Sequence, residues 1–224
     1  MEQRKIWDHF QASETDVFRG ALPRLSYLSH RLRPGDRVLN IGIGDGSFER
    51  LAAERKILIF SLDPSTSAVE KLRKSLHLGD NAKVGQSHMI PWPDAEFDAV
   101  VMSEVLEHID DNFFLPTMKE VRRVVRSNGK FLGTVPANER LENGVTVCPC
   151  CSHRFHRWGH VRSFSLKMTK KLLAESGFRE GKAFYRAFPS STGFSSLFKS
   201  PIRRVLGAFG AAIAQPSIVF SAIK

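Results

Sequence analysis

The stretch Val38-Leu39-Asn40-Ile41-Gly42-Ile43-Gly44-Asp45-Gly46-Ser47-Phe48 decides how this chain folds. Residues 37–41, basic and then apolar, predict a buried strand. Three glycines come next at alternate positions, and Ser47-Phe48-Glu49-Arg50-Leu51 opens a helix. A strand that turns sharply into a helix needs residues without a Cβ where the backbone bends and where a ligand must approach it. The free N–H groups of that helix start then face the ligand. The spacing alone is not decisive: dinucleotide-binding chains carry a related loop, and a merely flexible loop is the bland alternative.

The residues beyond the loop narrow the choice. Lys56-Ile57-Leu58-Ile59-Phe60-Ser61-Leu62 reads as a second buried strand ending at Asp63. A carboxylate at that tip can accept both ribose hydroxyls of a nucleoside; the alternative for Asp63 is a helix cap before Pro64. Ala82-Lys83-Val84-Gly85-Gln86 is a short third strand, and Ile90-Pro91-Trp92-Pro93-Asp94-Ala95-Glu96-Phe97-Asp98 leads into a fourth over residues 97–103. In this order the features resemble the class I S-adenosylmethionine (SAM) methyltransferases, in the branch with an L-P-F-x-D-x-x-F-D segment before strand four. Glu120-Val121-Arg122-Arg123-Val124-Val125-Arg126-Ser127-Asn128-Gly129-Lys130 resembles that branch's E-x-x-R-V-L-K-P-G-G. The resemblance covers residues 36–137 well and the rest loosely.

Strands and helices alternate along the chain, which implies an α/β fold with a doubly wound, mostly parallel sheet. Helices are predicted over residues 47–55, 63–77, 110–126 and 165–176, with strands over 130–136, 178–188 and 217–223. Earlier, Ser13 can cap a helix with Val17, Phe18, Ala21, Leu22, Leu25 and Leu28 on one face, which Pro23 is expected to kink or split. Ile6, Trp7 and Phe10 predict a short helix before it, either a cover for the cofactor site or a surface helix. The resemblance implies a seven-stranded Rossmann-like methyltransferase sheet with helices on both faces and an antiparallel final hairpin. The expected organisation is a helical cap over residues 1–33 and a methyltransferase domain over 34–224, with residues 137–162 as a metal-binding loop insertion.

The resemblance also implies SAM as the cofactor. Carried onto this chain, Gly42, Gly44 and Gly46 hold its amino-acid part and Asp63 its ribose. Gln86 stands where the family commonly has an Asp that meets the adenine amino group. Ser87 would offer a backbone N–H to the ring, and Met89 or Ile90 would pack on it. Asn40 stands where the family usually has a carboxylate, keeping an acceptor without the charge. Ser103, at the tip of strand four, completes the expected cofactor-facing set.

All three cysteines lie within Cys148-Pro149-Cys150-Cys151, useless for stapling a fold and suited to metal. Cys148, Cys151, His156 and His160 make C-x2-C-x4-H-x3-H, a ligand set for structural zinc. Cys150 could stand in for Cys151, and His153 for either later histidine; an unliganded surface loop is the alternative. A second constellation is Glu104-Val105-Leu106-Glu107-His108. Its E-x-x-E-H pattern resembles the divalent-metal motif of quinone-biosynthesis O-methyltransferases and of small-RNA 2′-O-methyltransferases. In the latter a further His completes the site, and His160 matches it here, so the two metal hypotheses compete for His160. Without metal, His108 and then Glu104 are the candidate catalytic bases, or structural residues.

The chain has 224 residues and a formal net charge of +10, which favours an anionic partner without choosing among them. No apolar run is long enough to span a membrane, and no secretory signal opens the chain, so a cytoplasmic location is expected. The leading acceptor is a small molecule or saccharide, sugar-like or phosphorylated, methylated on O or N. The runner-up is RNA, read by Arg154, Arg157, Trp158 and Arg162; a SAM-binding module without catalysis is the third class. Residues 194–213 mix apolar and basic side chains and predict a core-facing helix or, less favoured, a peripheral membrane contact.

Overall fold

The computed structural model describes residues 16–189 and 216–224. A 3-10 turn, Asp16–Ala21, leads into α1, Leu22–Ser29. Pro23 stands at the start of α1, where its missing N–H costs nothing, so the expected single helix divides there. β1 (Arg37–Ile41), α2 (Ser47–Glu54), β2 (Leu58–Asp63), α3 (Thr66–Leu76), β3 (Ala82–Val84) and β4 (Phe97–Ser103) come next. Then come α4 (Asp111–Val124), β5 (Val125–Pro136), β6 (Val145–Val147), β7 (Arg154–His156), α5 (Leu166–Glu175), β8 (Arg179–Arg186) and β9 (Ser217–Ile223). The helices anticipated over residues 1–12 and 201–214 lie outside the described residues.

Seven strands form one sheet in the order β3-β2-β1-β4-β5-β9-β8. β1 to β5 are parallel, and β9 runs antiparallel to both β5 and β8. This is the doubly wound sheet with an antiparallel last hairpin that the sequence implies.

Successive side chains on a strand point to opposite faces, and both faces here are covered. Val38, Ile59, Ala99, Val101 and Leu132 pack with Leu28 of α1 and Phe48 and Ala52 of α2. Leu39, Phe60, Val100, Met102 and Phe131 pack with Phe114, Met118 and Val121 of α4 and Leu173 of α5. Burial on both sides explains why these strands read as mostly apolar runs. Truncating one of the fully buried side chains, such as Leu39 or Met102, costs about 2–5 kcal/mol.

Residues 137–162 are more ordered than a loop. A 3-10 turn, Leu141–Gly144, is succeeded by a hairpin in which β6 and β7 pair antiparallel as a separate two-stranded sheet. β1 pairs with β2 on one side and β4 on the other. The strand order therefore reverses beside β1, and the crevice outside the carboxyl ends of β1 and β4 is where such sheets bind ligands. Among the described residues no helix is long and apolar enough to cross a membrane.

Candidate active site

The chain leaves β1 through Gly42, Gly44 and Gly46, with φ of +90°, +58° and +77°. L-residues with a Cβ rarely adopt such angles. At Gly42 space forbids it as well, because an added Cβ would lie 2.6 Å from Cγ2 of Val105, just past β4. A Cβ at Gly44 would lie 3.2 Å from the Phe18 ring. The glycine turn and the Glu104–His108 segment are thus packed against each other across the crevice. Asp63, 3% exposed, accepts from the Ile43 N–H at 2.8 Å and from the Ser65 N–H at 2.9 Å. It braces the glycine turn, a duty the ribose expectation did not include. The helix-cap alternative falls to Ser65, whose Oγ accepts from the Ala68 N–H.

Asn40 is buried and donates to Gly42 O at 3.1 Å and to Glu49 Oε1 at 2.7 Å. Ser61 donates to the same Glu49 oxygen at 2.9 Å. A carboxylate therefore does lie under the loop, supplied by α2. Burial pushes the Glu49 carboxyl up to about 7, against the pull of its Asn40 and Ser61 hydrogen bonds. Glu49 was not singled out from sequence; the signal available was an acid in the first turn of the helix, facing a strand with an amide in place of an acid.

Beyond β3, Gln86 is exposed, and Ser87 Oγ lies 2.9 Å from Thr117 Oγ1. Met89 is 70% exposed and open to a ring, whereas Ile90 is committed to the core. Ser103 Oγ lies 3.0 Å from Thr134 Oγ1 and accepts from Arg24 Nε at 3.0 Å. Arg24, on α1, also sits 3.9 Å from Glu104 Oε1 and is a second residue the sequence did not mark.

Just past β4 the backbone turns sharply: Glu104 has φ +55°, an uncommon angle for a residue with a side chain, and its N–H donates to Thr134 O at 2.9 Å. A 3-10 turn, Leu106–His108, then presents Glu107 and His108. Glu107 is wholly buried, and neither carboxylate oxygen has a hydrogen-bond partner. Burial, with the nearby Glu104 charge, holds its carboxyl well above the usual range. His108 Nδ1 lies 3.3 Å from Gly159 O, and its Nε2 lies 3.9 Å from Glu107 Oε1. Burial and the neighbouring His160 depress its pKa to about 3, so the ring is neutral.

His160 joins this pair: Glu107, His108 and His160 each bring one ligand-type atom to within 4.8 Å of the others. The Val161 N–H donates to Glu107 O at 2.9 Å and fixes the two segments together. On its other side His160 meets Glu139, Nδ1 to Oε2 at 2.5 Å, and Glu139, His156 and His160 form a second group within the same limit. Nothing in the sequence around Glu139 signals that role.

The zinc set expected from sequence is not assembled. His156 and His160 gather with Glu139, while the three cysteines lie in the turn joining β6 to β7 and belong to neither group. Extending β7 to His156 explains the outcome, because the strand carries His156 away from the turn. Within that turn Cys148 N–H donates to His153 O and Ser152 N–H to Cys148 O, both at 2.9 Å. Backbone N–H groups of Cys151 and Cys150 lower the Cys148 pKa.

A close-packed turn of three glycines at positive φ, beside the reversal of strand order, fits SAM and defines a class I SAM-dependent methyltransferase. The chain belongs to the family described as "methyltransferase domain", whose model matches residues 13–180. It is similar to the 27-O-demethylrifamycin SV methyltransferase of Amycolatopsis mediterranei, 30% identical over 122 residues, 52% of this chain and 41% of that one. It is also 30% identical over 132 residues to the sarcosine/dimethylglycine N-methyltransferase of Halorhodospira halochloris, covering 54% and 45% of the two. The chain spans about half the length of the curated relatives it matches. Among solved structures, a SAM-dependent methyltransferase of Thermotoga maritima superposes with TM-score 0.67 at 20% identity over 98% of this chain and 99% of that one. The phosphoethanolamine N-methyltransferase 2 of Haemonchus contortus, solved with SAM, superposes with TM-score 0.68 at 16% identity over 100% and 60%. At these identities the likeness is one of fold.

Proposed function

We propose that this protein transfers the methyl group of SAM to a hydroxyl oxygen of a small, saccharide-type acceptor, with a divalent cation held by Glu107, His108 and His160. The carrying observation is the wholly buried Glu107 carboxyl, whose oxygens lack any hydrogen-bond partner and which converges with two imidazoles. A buried acid left in that state is costly unless something compensates it. The mixed N and O donor set suits a borderline or hard divalent ion. Bound there, such an ion would lower the pKa of an acceptor hydroxyl.

The chain's own residues do the rest. The glycine cradle and Ser103 sit at the carboxyl ends of β1 and β4, the place for the methyl donor, and in-line displacement from a sulfonium needs mainly alignment and exclusion of water. A pKa near 3 makes His108 a lone-pair donor and a poor store for a proton. Glu104, 21% exposed beside the Arg24 guanidinium, is the group left to take the hydroxyl proton. The RNA alternative draws less support: Arg162, one of its four reader residues, is paired with Asp111 at 2.5 Å and lies 3.8 Å over the Phe114 ring. A positive surface suits a phosphorylated sugar as well as RNA.

The test is production of S-adenosylhomocysteine from SAM across a panel of hydroxyl, amine and RNA acceptors, with and without a chelator. Product formation with a saccharide hydroxyl, lost on chelation and restored by a divalent ion, supports the reading. Chelator-insensitive turnover, or methylation confined to nitrogen or RNA, overturns it.

A further inference from the structure

His160 stands in both acid–imidazole groups, and a neutral ring, with a lone pair on one nitrogen only, completes one cation site and not two. The hydrogen bonds decide between them. The backbone N–H of His160 donates to His156 Nδ1 at 3.1 Å, so that nitrogen carries a lone pair and no proton. In the neutral ring the proton is then on Nε2, which lies 3.6 Å from Glu139 Oε1. A protonated nitrogen is no ligand, so His156 drops out as a cation donor. His160 is arranged the other way round: its Nδ1 lies 2.5 Å from Glu139 Oε2, a carboxylate that only accepts. Nδ1 therefore carries the proton and Nε2 the lone pair. Glu139 thus faces two imidazole N–H groups, one on each oxygen, with its side chain 13% exposed.

From this arrangement we infer that Glu139 is the positioning residue of the cation site, fixing the tautomer of His160 that offers Nε2 to the group shared with Glu107 and His108. The inference rests on the cation reading proposed above. It makes the two ring ligands alike: Gly159 O stands behind His108 Nδ1 as Glu139 stands behind His160 Nδ1. Acceptors behind ligating imidazoles orient the ring and raise its donor strength, and losing one typically weakens metal binding about 10–100-fold. It also assigns work to the β6–β7 hairpin. His156 ends β7, its side chain is 7% exposed, and its Nε2 makes no hydrogen bond, only the 3.6 Å approach to this flanking carboxylate. The hairpin is a strut that sets Glu139, and through it His160.

The experiment uses the full chain, stripped of metal, with Mn2+ as probe. Mn2+ affinity is read by electron paramagnetic resonance, and the His160 ring by long-range 1H–15N correlation, for the wild type, Glu139→Gln, Glu139→Asp and Glu107→Gln. The expected result is Mn2+ binding weakened about 10–100-fold in Glu139→Gln, partial recovery in Glu139→Asp, and unchanged SAM affinity in both. The wild-type His160 should show a proton on Nδ1, and Glu139→Gln a mixture of tautomers. Loss of Mn2+ in Glu107→Gln with full affinity in Glu139→Gln overturns the role of Glu139 alone, as does a wild-type His160 protonated on Nε2. A wild-type chain that binds no Mn2+, Mg2+ or Zn2+ overturns this inference together with the cation reading.

Discussion

Asn40 donates a 2.7 Å hydrogen bond to the wholly buried carboxyl group of Glu49, placing on α2 an acid that the sequence resemblance would lead one to expect at position 40 of β1. The transfer has a consequence in pH. The Glu49 carboxyl is raised from 4.5 to about 7 by burial. Below pH 4.5 it is protonated in both folded and unfolded chains. As pH rises from 4.5 to 7 the unfolded chain releases the proton while the folded chain keeps it, so stability falls across that window and levels off above it. A shift of this size corresponds to about 3 kcal/mol. Glu49→Gln should remove that component. Chemical denaturation at pH 5 and pH 8 should show a smaller loss for the variant than for the wild type, and equal losses would count against the burial account.

Gly42 answers to two constraints, a φ of +90° and the Val105 methyl 2.6 Å from any added Cβ. Gly42→Ala should destabilise the chain by about 1–3 kcal/mol from the backbone alone and weaken SAM binding at least about tenfold. Adding Val105→Ala removes the clash and leaves the strain, so calorimetric SAM affinity should recover in part. Full recovery would show that φ at Gly42 costs nothing.

β1, β2 and β4 are legible in the sequence because both faces of each are buried, so each reads as a mostly apolar run, broken only by Asn40, Ser61 and Asp98 between its ends, that stops at Gly42, Asp63 or Glu104 at the crevice. The glycine turn is legible for a related reason: its spacing reflects backbone angles. The partners within the site are not. Asn40 announces a missing acid, yet Glu49 is found only when α2 is laid across β1 and β2. The pairing of His160 with Glu139 spans 21 residues and has no period. The four residues of the expected zinc set are not gathered because β7 runs through His156, and ligand spacing along a chain says nothing about where a hairpin turns. Of E-x-x-E-H, Glu107 and His108 share one turn and meet a single distant residue, His160, whereas Glu104 stands outside that group.

Glu107 makes the cation reading testable through stability. Its buried carboxyl, held well above the usual range and without a hydrogen-bond partner, destabilises the metal-free chain, so Glu107→Gln should leave the metal-free melting temperature unchanged or raise it. The wild type should gain stability from a divalent cation by mass action, about 2.7 kcal/mol at a hundredfold excess over Kd, and the variant should gain none. Equal gains in differential scanning fluorimetry would place the ion elsewhere.

The cysteines lie in the β6–β7 turn and outside both acid–imidazole groups. The double variant Cys148→Ser/Cys151→Ser should therefore keep the cation-dependent stabilisation of the His160 site and its methyl transfer within about twofold, at the scale of a surface change. Elemental analysis beside the activity measurement separates the cases. Loss of one bound ion with activity retained marks a distinct thiolate site at the turn, whereas loss of both would tie the cysteines to His160.

Gly144 carries the hairpin's grip on the site. A Cβ there would fall 1.8 Å from His156 Nε2, and its carbonyl accepts from the Arg157 N–H at 2.8 Å. The ring cannot yield toward Glu139, which lies 3.6 Å away on the same nitrogen. Gly144→Ala must then push His156 off Glu139, although Gly144 is distant in sequence from the glycine cradle and touches none of the proposed cation ligands. The expected result is a cation affinity lowered about tenfold, toward the loss foreseen for Glu139→Gln, with SAM affinity intact. Replacing the ring in the double variant Gly144→Ala/His156→Ala should relieve the clash without restoring the affinity. Restoration in that double variant would mean that His156 is filler and that Glu139 holds His160 unaided.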